Sequence, residues 1–135
     1  MSSTKTNFNQ KGFTLVELVI TITVISILAV IGYVAYGGMQ TRAREAIVRS
    51  DLASAVDILN VDKARSGGTA YPDDIDNADR GNGLPASDGT SYQYTVNNAV
   101  SPPTFCLTAI NDTVAMYISE ASYPQSGVCS GHTGI

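Results

Sequence analysis

The sequence holds one histidine, His132, and two cysteines, Cys106 and Cys129, among 135 residues. One histidine without a visible nucleophile–base pair is poor support for catalysis, so no enzyme is expected. No cofactor or metal site is expected either. Cys129 and His132 stand at a spacing some metals use, but one Cys and one His are too few for zinc. Basic charge is scarce: 8 Lys and Arg against 12 Asp and Glu, a formal net charge of −4. Without residues 1–12, which carry Lys5 and Lys11, 6 basic side chains face 12 acidic ones, or −6. That balance argues against a nucleic-acid-binding face covering the domain. Proline is missing before Pro72, which leaves Gly32 and Gly37-Gly38 as the weak points of any early helix. Charge is missing from Leu18 to Thr41, and between Phe13 and Tyr36 Glu17 is the only charged side chain.

What is present is a long apolar run. Leu18 to Thr41 is 24 residues. As a helix it would be about 36 Å long, enough for a hydrocarbon core of about 30 Å. Its Ile, Val, Leu and Thr favour strands in water. In lipid the backbone groups must pair within their own segment, so a helix is forced. Twelve large aliphatics lie between Leu15 and Ile31. Leaving them in water would cost on the order of 20–30 kcal/mol. The segment needs a membrane or many copies of itself. It is too long for the core of an ordinary secretory signal, and the small residue Gly12 lies before it, not after. A plain signal anchor satisfies the same hydropathy. Lys5 and Lys11 before the run nearly balance Arg42, Arg44 and Arg49 after it, so the positive-inside rule gives little orientation. The cysteine pair is the better argument for an exported C-terminus, since paired cysteines in exported domains usually form a disulfide.

The segment Lys11-Gly12-Phe13-Thr14-Leu15-Val16-Glu17-Leu18-Val19-Ile20 resembles the type IV pilin and pseudopilin signature. In that family a short basic leader ends in Gly, Phe usually follows, and a Glu lies four residues after the Phe. An unbroken apolar helix comes next. The resemblance covers about the first 40 residues, and the rest matches in broad layout only. It implies that a prepilin peptidase cuts Gly12–Phe13, that Phe13 is then N-methylated, and that Glu17 assists assembly by facing a neighbouring subunit's terminal amine. Many members carry a proline in the apolar helix and this chain does not. The helix is therefore expected either to loosen near Gly32 or Gly37 on assembly or to pack closely there.

The physics of Glu17 stands beside the resemblance. An ionisable residue within a span is a functional site by default. A carboxylate in the first turn also complements the partial positive charge of the helix N-terminus. In a filament core poor in water, an opposite charge counts for more than at a surface.

The helical pattern continues past the membrane. Val48, Leu52, Ala55, Val56 and Leu59 make one apolar stripe, with Arg49, Asp51, Asp57 and Asp62 expected largely off it. Glu45 and Arg49 are spaced for an i,i+4 pair. Gly67-Gly68 ends the helix. Residues 67–90 read as a long loop of turn residues, functional or mobile. Three strands follow, carried by Tyr92, Tyr94 and Val96, by Phe105, Leu107 and Ala109, and by Val114, Met116 and Ile118. Asn111-Asp112 is the expected turn, and the tail from Glu120 shows no periodicity. A Cys106–Cys129 bridge would contribute roughly 3 kcal/mol through chain entropy.

The expected fold is α+β, with a long N-terminal helix on a small antiparallel sheet of about three strands. The expected layout is a leader at 1–12, an apolar helix at 13–41, an amphipathic half at 42–66 and a globular head at 67–135. Asp73, Asp74, Asp76 and Asp79 suit either a solvated acidic loop or calcium, though their spacing is not that of an EF-hand. Tyr71, Tyr92, Tyr94, Tyr117 and Tyr123 suit half-buried strand positions more than an adhesive patch.

The resemblance points to a type IV pilus subunit serving adhesion, twitching motility or DNA uptake. It would form a homopolymer with other pilin subunits, and its implied partners are the peptidase, the pilus assembly machinery and its inner-membrane platform. It would be held in the cell membrane before assembly and lie in an extracellular filament afterwards. Nucleic acid would be met only through DNA uptake. The alternatives are a type II secretion pseudopilin and a membrane-anchored binding domain that does not polymerise.

Overall fold

A computed structural model describes residues 12–120 and 123–134. The main helix, α1, spans Leu15–Arg65, and four strands follow: β1 (Thr90–Asn97), β2 (Thr104–Asn111), β3 (Val114–Ser119) and β4 (Gln125–Ser126). The chain divides into two compact units at Gly38–Met39.

In the first unit, α1 begins at Leu15 and is helical through Gly32, Gly37 and Gly38. All twelve large aliphatics from Leu15 to Ile31 are exposed. Three hydroxyls within this stretch turn back onto the helix: Thr21 donates to the Leu18 carbonyl (2.8 Å), Thr23 to Val19 (2.7 Å) and Ser26 to Ile22 (2.7 Å). No hydroxyl is thereby left unpaired for an apolar medium. By length and composition this helix is able to cross a membrane.

In the second unit, the stripe on α1 is buried as its spacing predicts. Val48, Leu52, Ala55 and Leu59 are fully buried, and Val56 is half-buried. The helix closes with the Gly68 N–H on the Lys63 carbonyl (2.8 Å) and the Gly67 N–H on Ala64 (3.1 Å). Gly67 has φ +78°, the left-handed geometry this closure requires.

The sheet is antiparallel, in the order β1-β2-β3-β4. Register aligns the apolar residues in rows across it. Tyr92, Ala109 and Met116 form one row, and Tyr94, Leu107 and Ile118 the next. These rows and the α1 stripe make one core. Phe105 packs edge-on against Tyr71, with ring centroids 4.8 Å apart.

The three expected strands are formed, and a short fourth, β4, adds to them. β4 is two residues long and pairs Tyr117 with Gln125, and so short a strand carries no readable alternation. The β2–β3 turn is Asp112-Thr113, not Asn111-Asp112. Asp112 takes the left-handed φ of 51°, which Asp tolerates better than most residues. Asn111 instead stays in β2, buried, donating to the Asp88 carbonyl and to Thr90 Oγ1. The expected Glu45–Arg49 pair is not formed. Among the described residues the ion pairs are Arg44–Asp112, Arg65–Asp62 and Arg65–Asp79.

Asp51 also departs from expectation. It is buried, not off the stripe. One helical turn from Val48 and from Ala55, it lies on the edge of the stripe. Asp62 lies on the same edge, and both carboxylates hold the loop between α1 and β1. Asp51 accepts from the Ser87 N–H (3.1 Å) and hydroxyl (2.7 Å), and Asp62 from the Asp79 N–H (2.7 Å). Tyr92 and Tyr94 add hydroxyl bonds to the Pro85 and Pro72 carbonyls (2.6 and 2.9 Å). The loop also holds a 3₁₀ turn at Ile75–Asn77 and a short turn at Ala78–Gly81. It is a pinned structure rather than an open strap. Asp51→Ala is expected to cost about 1–3 kcal/mol, because the Ser87 donors lose a charged acceptor. Denaturant unfolding measures this, and a variant within 0.5 kcal/mol of the parent would contradict it (about the spread of neutral surface changes).

Candidate functional site

The first turn of α1 gathers the residues that the sequence singled out. Gly12 and Phe13 precede the helix and are exposed, Phe13 at 89 %. The Gly12–Phe13 bond thus lies in non-helical, accessible chain. Residues 1–11 of the expected leader lie outside the described residues. Thr14 is the last residue before the helix and Glu17 is the third within it. The Glu17 carboxylate accepts from the Thr14 N–H (2.9 Å) and hydroxyl (2.8 Å), and the Glu17 N–H donates back to Thr14 Oγ1 (3.2 Å). This reciprocal pair is a capping box, which satisfies two backbone donors that the helix start leaves free. The Thr-x-x-Glu spacing carried that signal, but the sequence reading assigned no role to Thr14.

Glu17 therefore has a partner in its own chain, held through one carboxylate oxygen, Oε2. The carboxylate is exposed, four residues after Phe13 and at the start of an apolar surface. An anion so placed, with acceptor capacity left on its second oxygen, suits a cation brought by another molecule.

Residues 7–33 match the family model of the prokaryotic N-terminal methylation motif. The chain carries the type IV prepilin leader signature. The matched segment holds Gly12, Phe13 and Glu17 together with most of the apolar run. No curated protein and no solved structure matches the chain.

The second expected feature, the Cys106–Cys129 disulfide, is formed, with Cα atoms 6.1 Å apart. It ties the tail to the face of β2 opposite the core. Thr108 lies on that same face and is fully buried under the tail. Its hydroxyl accepts from the Cys129 N–H (2.9 Å) and pairs with His132 Nδ1 (2.7 Å). The hydroxyl either donates to Nδ1 or accepts from it, as the imidazole tautomer decides, and His132 Nε2 is the other ring nitrogen. That atom is buried without a partner. Gln93 and Thr133 exchange three further bonds of 2.8–3.0 Å. The disulfide is one of several ties, and nothing in the tail's sequence indicated the rest.

Burial holds the His132 imidazole below its ordinary value. The unfolded chain then takes up the proton first as pH falls. Stability contributed by the neutral ring is complete above about pH 6.5 and is lost below it. Melting temperature is expected to fall between pH 7 and pH 5, with a smaller fall in His132→Gln. Equal falls in both chains would contradict the assignment.

Three of the four acidic loop residues turn to local donors. Asp73 accepts from the Asn98 side chain (3.0 Å), Asp74 caps the Asp76 N–H (3.3 Å), and Asp79 accepts from Asn82 (3.3 Å). Among the described residues no three His, Cys, Asp or Glu side chains gather as metal ligands. Of the tyrosines, Tyr71 is buried, Tyr92, Tyr94 and Tyr117 are half-buried, and Tyr123 is 88 % exposed. Burial raises the Tyr92 and Tyr94 phenols well above their ordinary value, with Asp51 adding to the first and Tyr71 and Asp73 to the second.

Proposed function

We propose that this chain is a structural, non-catalytic subunit of a type IV pilus. A prepilin peptidase cuts Gly12–Phe13, Phe13 is methylated, and the apolar start of α1 passes from the membrane into the core of a homopolymer. One observation carries this reading: the chain exposes twelve large aliphatics within the methylation motif, directly behind Gly12–Phe13. At about 25 cal/mol per Å² of apolar surface, such a helix is stable only in lipid or among copies of itself. Glu17 is fixed by Thr14 at the start of that surface, and in this reading its charge meets the terminal amine of a neighbour. The disulfide suits an oxidising exterior, where an extracellular filament would stand.

The test is electron microscopy of filaments sheared from producing cells, with mass spectrometry of their N-terminus. Extracellular filaments whose subunits begin at methylated Phe13 are expected. An intact leader on a protein that stays in the membrane would replace this reading with a simple anchor. Correct processing without extracellular filaments would replace it with a pseudopilin.

A further inference from the structure

Within residues 67–135, Arg80 is the only Lys or Arg, against 7 Asp and Glu. It is exposed, and among the described residues it forms no ion pair. Its backbone is left-handed, at φ 60° and ψ 31°, as is that of Asp79 at φ 48° and ψ 47°. Non-glycine residues adopt this geometry only at a cost, so the fold must hold them there. It does so on both sides. Asp62 takes the Asp79 N–H at 2.7 Å, Ala78 is fully buried, and the Gly83 N–H closes on the Ala78 carbonyl at 3.0 Å. The head's sole strong cation is thus presented on a rigid turn. It lines a groove of about 360 Å³ with Asp62, Tyr71, Asp73 and Asn77. Asp73 shares the groove lining and Asp76 is exposed four residues before Arg80 in the chain, one positive charge with two negative ones; Asp62 and Asp79 are the ion-pair partners of Arg65.

The reverse pattern stands on the second half of α1. Arg42, Glu45 and Arg49 are spaced three and four apart, so they share one helix face. All three are exposed, and none is in an ion pair among the described residues. Here one negative charge lies between two positive ones.

We infer that these two patches are the two halves of a contact between copies. The Arg42–Glu45–Arg49 face of one copy enters the Arg80 groove of the next. Glu45 meets Arg80, and the two arginines meet the flanking aspartates. This deepens, and rests on, the filament reading. Mature chains of net charge −6 repel one another unless opposite charges are aligned between them. The patches are different surfaces of one chain, so the contact is heterologous and generates an open polymer rather than a closed dimer. Arg on a pre-organised turn is a favoured anchor for such a contact, since little freedom remains to be lost.

The test is a charge-swap cycle in the full chain, read as filament yield from producing cells. Glu45→Arg and Arg80→Glu are each expected to lower the yield about tenfold. The double swap restores the opposite charges and is expected to recover most of the wild-type yield. Arg80→Asn removes the charge while keeping a residue that accepts the left-handed backbone. It is expected to match the wild-type melting temperature and still to lower the yield. Wild-type yield from either single swap, or no recovery in the double variant, would overturn the inference and leave the filament reading intact. A wild-type chain that forms no filaments would remove the filament reading itself.

Discussion

Glu17→Gln is expected to leave leader removal unchanged and to stop filament growth. The substitution separates the cap that Glu17 makes with Thr14 from its proposed contact with a neighbour's amine. Gln at the third helical position still accepts from the Thr14 N–H, so the capping box survives. What disappears is the negative charge. If that charge neutralises a neighbour's amine in a water-poor core, its loss strands the amine. Breaking such a buried pair costs about 3–5 kcal/mol, a factor of about a hundred or more in subunit affinity. Glu17→Ala removes the cap as well, at a further cost of about 0.5–2 kcal/mol. Processing is followed by the mass of the membrane-bound chain, and assembly by sheared filament yield. Filaments at normal yield from the Gln variant would mean that Glu17 is only a helix cap.

Leu52→Ala is expected to produce the largest loss of stability. Leu52 is fully buried, between Val48 and Ala55 on the stripe and against the sheet residues of the same core. Truncating it removes apolar burial and leaves a cavity, at about 2–5 kcal/mol. A small domain has about 5–15 kcal/mol in total, so this is a large share. For a unit of this size the melting temperature should fall by more than about 10 °C. Val61 lies on the same helix but is 47 % exposed, and Val61→Ala should change stability far less. Circular dichroism melts in detergent compare the two variants. Equal shifts would mean that α1 does not back the sheet through this stripe.

The two variants divide the chain by what shelters it. The second unit closes its own core, so its stability is a property of one chain. The exposed aliphatics before Gly32 have no such cover in one chain. Their environment has to come from lipid or from other copies, which is why Glu17 is read by assembly and Leu52 by melting.

Much of this was legible in the sequence because it is local and periodic. The apolar run, the three- and four-residue steps of Val48, Leu52, Ala55 and Leu59, and the alternation in three strands follow from the repeat of helix and strand alone. Gly67-Gly68 gave the helix end for the same local reason. The methylation motif is likewise contiguous, at residues 7–33. The misses fell where a local rule was outvoted by a distant partner. Asp51 is charged and belonged on the wet side until Ser87, 36 residues away, supplied two donors. Glu45 and Arg49 are adjacent on the helix but do not pair, while Arg44 finds Asp112 across 68 residues. The acidic run after Pro72 suits a solvated loop or calcium by composition, and the caps and side-chain bonds that Asp73, Asp74 and Asp79 make are set by the folded loop.

The sequence by itself determined the helix, its apolar and amphipathic halves, the strand faces and the prepilin signature, since each is written in neighbouring residues. Only the tertiary structure decided that the loop after α1 is pinned by Asp51 and Asp62, that Thr108 is buried under the tail, and that Arg80 stands on a left-handed turn without an ion pair among the described residues. Those outcomes depend on which backbone donors a folded chain brings within 3 Å of which acceptors, and no periodicity encodes that.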